Sequence, residues 1–263
     1  MRVGIQIGTM MALALLPKLV AAEEKTVPGW SVSLGAGAVL SPKFQGAKST
    51  NVTPIPSIDV KYSNIFFVSQ SQGIGFNVLR LGGLTVGPLA SFDLGRSVSD
   101  QRAALHGLHN VPLTIDLGGF ARYEFGPYAT AQVRLLQGID GHKGAVAKAS
   151  FDLNAPPLLN TRLFLSAGPQ FAYENRDYAH AFFGITHADS LKSGYKAFSP
   201  QNAETAGFGA SATYRVTEKI TTTAFGDYGR LMGDAAKSPL VTGKYGSRDQ
   251  FTTGLVFSYH FYP

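Results

Sequence analysis

No cysteine occurs among the 263 residues, so disulfide staples and thiolate metal sites are both ruled out, and a self-sufficient core or a closed sheet must carry the stability. Long apolar runs are missing too. The longest, residues 3–16, is about 14 residues against the roughly 20 that a spanning helix needs. Charge is sparse, at 15% of the chain with a formal excess of +6. So mild an excess gives no reason to expect nucleic acid as a partner. What the chain does have is 44% hydrophobic residues, 18 Phe, 11 Tyr and 30 Gly, spaced in a pattern that is not helical.

Arg2, the apolar stretch 3–16 and the small residues Val20, Ala21 and Ala22 before Glu23, Glu24 and Lys25 have the order of a secretory signal peptide cut after Ala22. Its removal takes Arg2 and Lys18 from the formal +6, leaving +4. The expected division is a leader over 1–22, a periplasmic segment over 23–29 and a β-barrel over 30–263.

Residues 250–261 alternate strictly. Phe251, Thr253, Leu255, Phe257, Tyr259 and Phe261 share one face, and Thr252, Gly254, Val256, Ser258 and His260 the other. An apolar, aromatic face opposite a small polar one describes a strand between lipid and a wet lumen. The same period of two recurs at 30–40, 58–62, 84–94, 115–125, 129–135, 145–153, 163–173 and 208–216, and more weakly at 65–70, 74–80 and 220–231. Charges sharpen the register. Asp59, Lys61, Asp93, Asp116, Arg122, Glu124, Arg134, Lys148, Asp152, Arg162, Arg215 and Asp227 all fall on the face opposite the apolar one, where a lipid-facing charge near the midplane would cost about 2–4 kcal/mol. Arg80 shares the apolar parity, at a strand end where its stem could snorkel. In this register Leu255 faces lipid and Val256 the lumen, so Arg is expected to be tolerated far better at 256 than at 255.

Short connections at 63–64, 81–83, 126–127, 155–160 and 217–219 interleave with long ones at 41–51, 96–111, 138–144, 174–205 and 232–249. Such interleaving fits short periplasmic turns and long extracellular loops. Both termini end in the periplasm only if the strand number is even, which requires a tight turn near 69–73 and gives twelve strands, with ten and fourteen as alternatives. The fold class is therefore all-β, a transmembrane antiparallel barrel in the outer membrane, bathed in outer-membrane lipid and lipopolysaccharide. Six basic and six acidic inward charges can pair across the interior, whereas an ion-selective channel would carry a ring of one sign. Twelve strands also make a much narrower barrel than the 16–18 of a porin.

Several stretches resemble the outer-membrane MipA/OmpV family of MltA-interacting, or scaffolding, proteins. They are the glycine-rich 35–46 with Pro42, Phe44 and Gly46; Gly87-Pro88 with Leu94-Gly95-Arg96; the loop Gly141-His142-Lys143-Gly144; Phe182-Phe183-Gly184-Ile185-Thr186; and 230–241, with Arg230, Leu231, Gly233, Asp234, Ser238 and Pro239. The last is the most specific. Tyr262 and Pro263 depart from the family by following the aromatic that usually ends such chains. The resemblance implies an integral outer-membrane protein without catalytic activity or cofactor. Some members look like scaffolds joining a murein transglycosylase to a murein synthase, and others resemble antigens or adhesins.

Read for chemistry, the chain offers little. His187, Asp189 and Ser190 are triad residue types, but sequence neighbours rarely converge at the roughly 3 Å that a triad needs. Asp140, Gly141 and His142 read as a tight turn capped by the histidine. His106 and His109 could share a metal on a helical turn, although two ligands alone are weak. Asp234 reads as a turn acceptor and Pro239 as a stiffener. The loop 174–205, with Tyr178, Phe182, Phe183, Tyr195 and Phe198, is too aromatic for disorder and is expected to fold over or into the barrel mouth. The function expected is scaffolding of murein-remodelling enzymes or surface binding, with a narrow channel for small polar solutes as the alternative and a surface hydrolase behind it.

Overall fold

A computed structural model describes residues 29–155 and 162–261. The leader over 1–22, the periplasmic segment apart from Gly29, most of the connection 155–160, and Tyr262 and Pro263 lie outside the described residues. Thirteen segments form one sheet: β1 (Trp30–Pro42), β2 (Thr50–Tyr62), β3 (Phe66–Ser69), β4 (Gly73–Phe76), β5 (Leu79–Leu81), β6 (Leu84–Asp93), β7 (Thr114–Phe125), β8 (Ala129–Gly138), β9 (Ala145–Ala155), β10 (Leu163–Glu174), β11 (Ala203–Arg215), β12 (Ile220–Met232) and β13 (Asp249–Phe261). Each is antiparallel to its neighbours. The sheet closes where β1 pairs with β13, and β4 and β5 pair one after the other along β6. Because β4 and β5 are two halves of one stave, the barrel has twelve strands.

The two faces separate as the alternation requires. Leu255 and Phe257 are 42% and 53% exposed while Val256 between them is 2% exposed. Aromatic pairs ring the rim that carries the termini, with centroids 4.9 Å apart for Trp30–Tyr62, 4.6 Å for Tyr123–Phe125 and 4.7 Å for Tyr259–Phe261, as an interfacial girdle requires. On the same rim, His260 Nδ1 lies 2.6 Å from Ser33 Oγ and its Nε2 2.9 Å from Thr221 Oγ1, which ties the first and last strands together.

Arg80 does not share the lipid face. Ile74 and Gly75 pair with Ala90 and Leu89, whereas Leu79 and Arg80 pair with Val86 and Thr85. The count slips by one between them, a bulge at 77–78 that puts an extra residue in this stave. Directly opposed residues share a face, and Thr85 is buried in the lumen, so Arg80 points inward. Arg162 lies in the turn before β10 and not in a strand. Two of the inward ion pairs run along a single strand and not across the lumen, Lys61–Asp59 at 3.8 Å and Arg122–Glu124 at 3.1 Å.

β2 extends well beyond 58–62, because Pro54 and Pro56 mask its outer half in the sequence. It pairs with β1 along its whole length but with β3 through only Asp59 to Tyr62. The Ile58 carbonyl accepts from Gln70 N, so even-numbered residues of β2 point their backbone groups toward β3. Beyond that bond β3 has ended. Proline at 54 and 56 therefore removes two of the N–H donors that the short β3 leaves without a partner, which is how proline fits at a strand edge.

The lumen is not wet throughout. Val39, Ile55, Phe225 and Val256 form one buried apolar cluster inside the wall, and Phe67, Leu89, Phe120 and Leu136 another. The expected tolerance at Val256 is thereby reversed. Leu255→Arg should cost about 2–4 kcal/mol if near the midplane, and Val256→Arg should cost at least as much by burying a charge among apolar side chains. Denaturant unfolding of refolded barrels in bilayers would check this, with tolerance at 256 counting against the packed layer.

Candidate functional site: a plugged outer mouth

The long connections fold inward and meet. From Glu174 the chain turns into α2 (Arg176–Phe183), whose first turn is capped by Asn175; its Oδ1 accepts from Tyr178 N at 3.3 Å and from Ala145 N at 3.0 Å, so the cap also joins the helix to β9. Tyr178, Ala179, Phe182 and Phe183 form its buried face and pack with Val111, Val146, Ala203, Leu231, Ala235 and Val241. α3 (His187–Ser193) follows, started by a reciprocal Thr186–Asp189 capping box. A second cluster joins Phe44, Ala47, Leu105, Leu108, Ile185 and Leu240 from four loops. Two of its members, Leu105 and the adjacent Ala104, come from α1 (Arg102–Leu105) and one, Leu240, from α4 (Pro239–Thr242). The expected loop over 174–205 is thus a folded plug.

Polar bonds fix this plug to the wall. Arg96, 2% exposed, donates from one guanidinium nitrogen to Phe182 O at the end of α2 and from the other to His109 O at 3.1 Å. Burial pulls its pKa down to about 10, with Asp189 and Asp100 opposing the shift, so the side chain stays cationic at neutral pH and suits the negative end of a helix. Ser238 Oγ donates to Phe183 O at 2.7 Å and accepts from Leu240 N at 3.3 Å to cap α4, whose first residue is Pro239. Burial pushes the Tyr178 hydroxyl well above its ordinary range, so it acts as a neutral group 3.4 Å from both Gln45 Oε1 and Asp93 Oδ2.

The histidine of the Gly-His loop lies beneath the plug. His142 Nδ1 accepts from Gly144 N at 3.0 Å, its backbone N donates to Thr114 Oγ1 at 3.1 Å, and its ring packs on Tyr178 at 4.7 Å. Nε2 lies 3.1 Å from Asp116 Oδ1, a contact whose angle falls short of a hydrogen bond. Gly144 has no room for a side chain, since a Cβ there would lie 2.4 Å from Tyr178 N. Gly141 sits at φ +60, and Gly184 closes α2 between Phe183 and the second helix.

In the β12–β13 loop, Gly233 has φ +62, Asp234 N donates to Asn202 Oδ1 at 3.0 Å, and Asp234 accepts from Gln201 N and pairs with Lys237 at 2.9 Å. Gly46 donates to Gln250 Oε1 at 3.0 Å just beyond the buried Pro42. Leu231 is in the plug core, whereas Arg230 is exposed at the rim and bonded to Asp249 at 2.7 Å.

The triad residue types do not converge. Asp189 faces His109 Nδ1 at 2.9 Å, Ser190 Oγ donates to Tyr195 O at 2.6 Å and His187 is exposed. His109 serves Asp189 and Ala181 O, while His106 ends the short α1. Sequence reasoning missed Arg96 and Asn175 as anchors. Both bond to backbone groups, which leave no partner residue to read.

A closed twelve-strand barrel with an apolar lipid face and an aromatic rim is an integral protein of the Gram-negative outer membrane. Residues 34–261 match the family described as MltA-interacting protein MipA, and the chain belongs to that family. No curated protein matches it in sequence. Among solved structures it is similar to the NanC porin (12% identity, 88% of this chain and 99% of that one, TM-score 0.42). It is also similar to a bacterial polysaccharide outer-membrane secretin (8%, 89% and 99%, 0.43) and to a loop-deletion mutant of OmpT from Vibrio cholerae (9%, 89% and 100%, 0.37). TM-scores this low carry no functional weight.

Two outcomes check the plug. Arg96→Ala should orphan the buried Phe182 carbonyl at about 1–3 kcal/mol, and the part-buried His109 carbonyl at less, seen as faster amide exchange in α2 with the strands unchanged. The second concerns acid. Burial pushes the Asp189 carboxyl up, but hydrogen bonds from the His109 ring and from Thr186 outweigh it and hold it below the usual carboxylate range. A carboxyl held low contributes stability above its unfolded value of about 4, and that contribution is lost as pH falls through the lower folded value. Exchange over 186–194 should therefore quicken relative to the strands only below about pH 4, and Asp189→Asn should abolish that dependence.

Proposed function

We propose that this protein is a non-catalytic, poorly conducting barrel that serves as a membrane-embedded scaffold for murein-remodelling enzymes. The observation that carries the reading is the plug: five outer loops interlock over the mouth, which is unsuited to solute flow and leaves a rigid body with its open end toward the periplasm. The family description, MltA-interacting protein, supports a murein transglycosylase as one partner; a murein synthase would be the other. Periplasmic turns are short, so a partner would grip the rim of the lumen, where Lys61, Arg122 and Arg215 lie near strand ends and suit an acidic segment. The motif residues Pro42, Gly46, Gly141, His142, Gly144, Phe183, Gly184, Arg230, Leu231, Gly233, Asp234, Ser238 and Pro239 serve in this reading to build and seal the outer end, not to touch a ligand.

Pull-down from cross-linked envelopes should recover a periplasmic murein transglycosylase, and recovery should fall when Lys61 and Arg215 are both changed to Glu. Recovery of surface ligands alone would overturn the scaffold. In planar bilayers the intact barrel should pass little current, and more after deletion of 178–198. Large steady current from the intact protein would favour the channel.

A further inference from the structure

We propose that the wall between β2 and β6, above the 70–72 turn, is a lateral site for an outer-leaflet lipid. The lipid seats its polar head on the unladdered edge of β2 and reaches the lumen from the side. The opening has a frame. Its sill is the β3–β4 turn, where Ser69 and Ser71 are buried with their hydroxyls 3.0 Å apart. One jamb is the outer half of β2, paired with β1 alone, and the other is β6, which β4 accompanies only as far as Ala90. Across the top, Ser49 just before β2 donates its hydroxyl to Gln101 Oε1 at 2.7 Å, and Gln101 belongs to the loop that follows β6.

Backbone chemistry selects the occupant. Pro54 and Pro56 present carbonyls on this edge and no N–H, and among the described residues no donor reaches them. A row of acceptors inside a lipid-facing wall needs donors, because unsatisfied backbone groups in hydrocarbon cost several kcal/mol each. A second protein strand fits poorly, since the missing N–H groups break its ladder. A head group bearing hydroxyl or ammonium donors fits well. Its acyl chains would lie along the exposed side chain of Val52 and the neighbouring proline rings. Behind the edge the lumen offers Thr53, Ser69 and Ser71, a polar path that the plugged mouth leaves without an outlet above.

The absence of cysteine makes the test clean. Single-cysteine variants Ser71→Cys at the sill and Thr205→Cys, lumen-facing at the outer end of β11, would be reconstituted in nanodiscs containing a phospholipid with a maleimide head group. Retained heat-modifiable migration would confirm folding. Ser71→Cys should be labelled at least tenfold faster than Thr205→Cys. Adding Pro54→Val and Pro56→Val, which restores donors at the edge, should lower the Ser71→Cys rate at least threefold. Equal labelling at the two positions would overturn the lateral site, as would no lipid-borne labelling at either. A water-soluble maleimide that labels Ser71→Cys as fast as the lipid-borne one would place access at the mouth and overturn it too.

Discussion

Within lipid every backbone N–H and C=O must find a partner inside the protein, and the remaining features of this barrel follow from how the sheet meets that demand. Most strands run ten to thirteen residues with both edges laddered. The stave formed by β4 and β5 is the exception, broken by a bulge and held to β6 through few pairs. On the β2 edge that the short β3 leaves uncovered, the protein deletes donors with proline instead of supplying acceptors, so the wall is least tied between β2 and β6. The bulge returns Arg80 to the lumen, and the rule that charge avoids lipid holds through a change in register.

With the wall closed, its outer end becomes a ring of strand ends on which loops can pack. Among the described residues the five largest fully buried side chains, Phe44, Phe182, Phe183, Leu105 and Ile185, lie there and not in the strands. The protein thus resembles a small globular domain built across the top of a membrane tube. Within it, backbone-directed hydrogen bonds from Arg96, Asn175 and Ser238 replace the disulfides that the composition rules out.

The wall was legible in the sequence because its physics is local. A period of two, charges confined to one face and alternating short and long connections together specify an even-stranded barrel, and the predicted turn at 69–73 is present. Legibility failed where a second cause overrode the alternation. Pro54 and Pro56 hid the outer half of β2, since proline usually argues against a strand, and here it marks the edge left by a short neighbour. One inserted residue reversed the reading of Arg80. Val256 reads as facing water when the wall alone is considered, but the side chains it meets come from β1, β2 and β12. The plug was legible as aromatic loop composition and not as geometry, because its anchors bond to main-chain carbonyls.

The plug also sets the order in which the molecule can be finished. Ala47 in the first loop bridges to Gly246 in the last, and Gly46 donates to the side chain of Gln250, 204 residues away. Ser238 reaches back to Phe183. Contacts of such separation form late, because the loop-closure entropy must be met first. The central loops can dock only provisionally until the β12–β13 hairpin arrives, and that same hairpin supplies the strand that closes the wall. Sealing of the mouth and closure of the barrel are one kinetic event, so a chain that stalls before its last hairpin is at once open to lipid and unplugged.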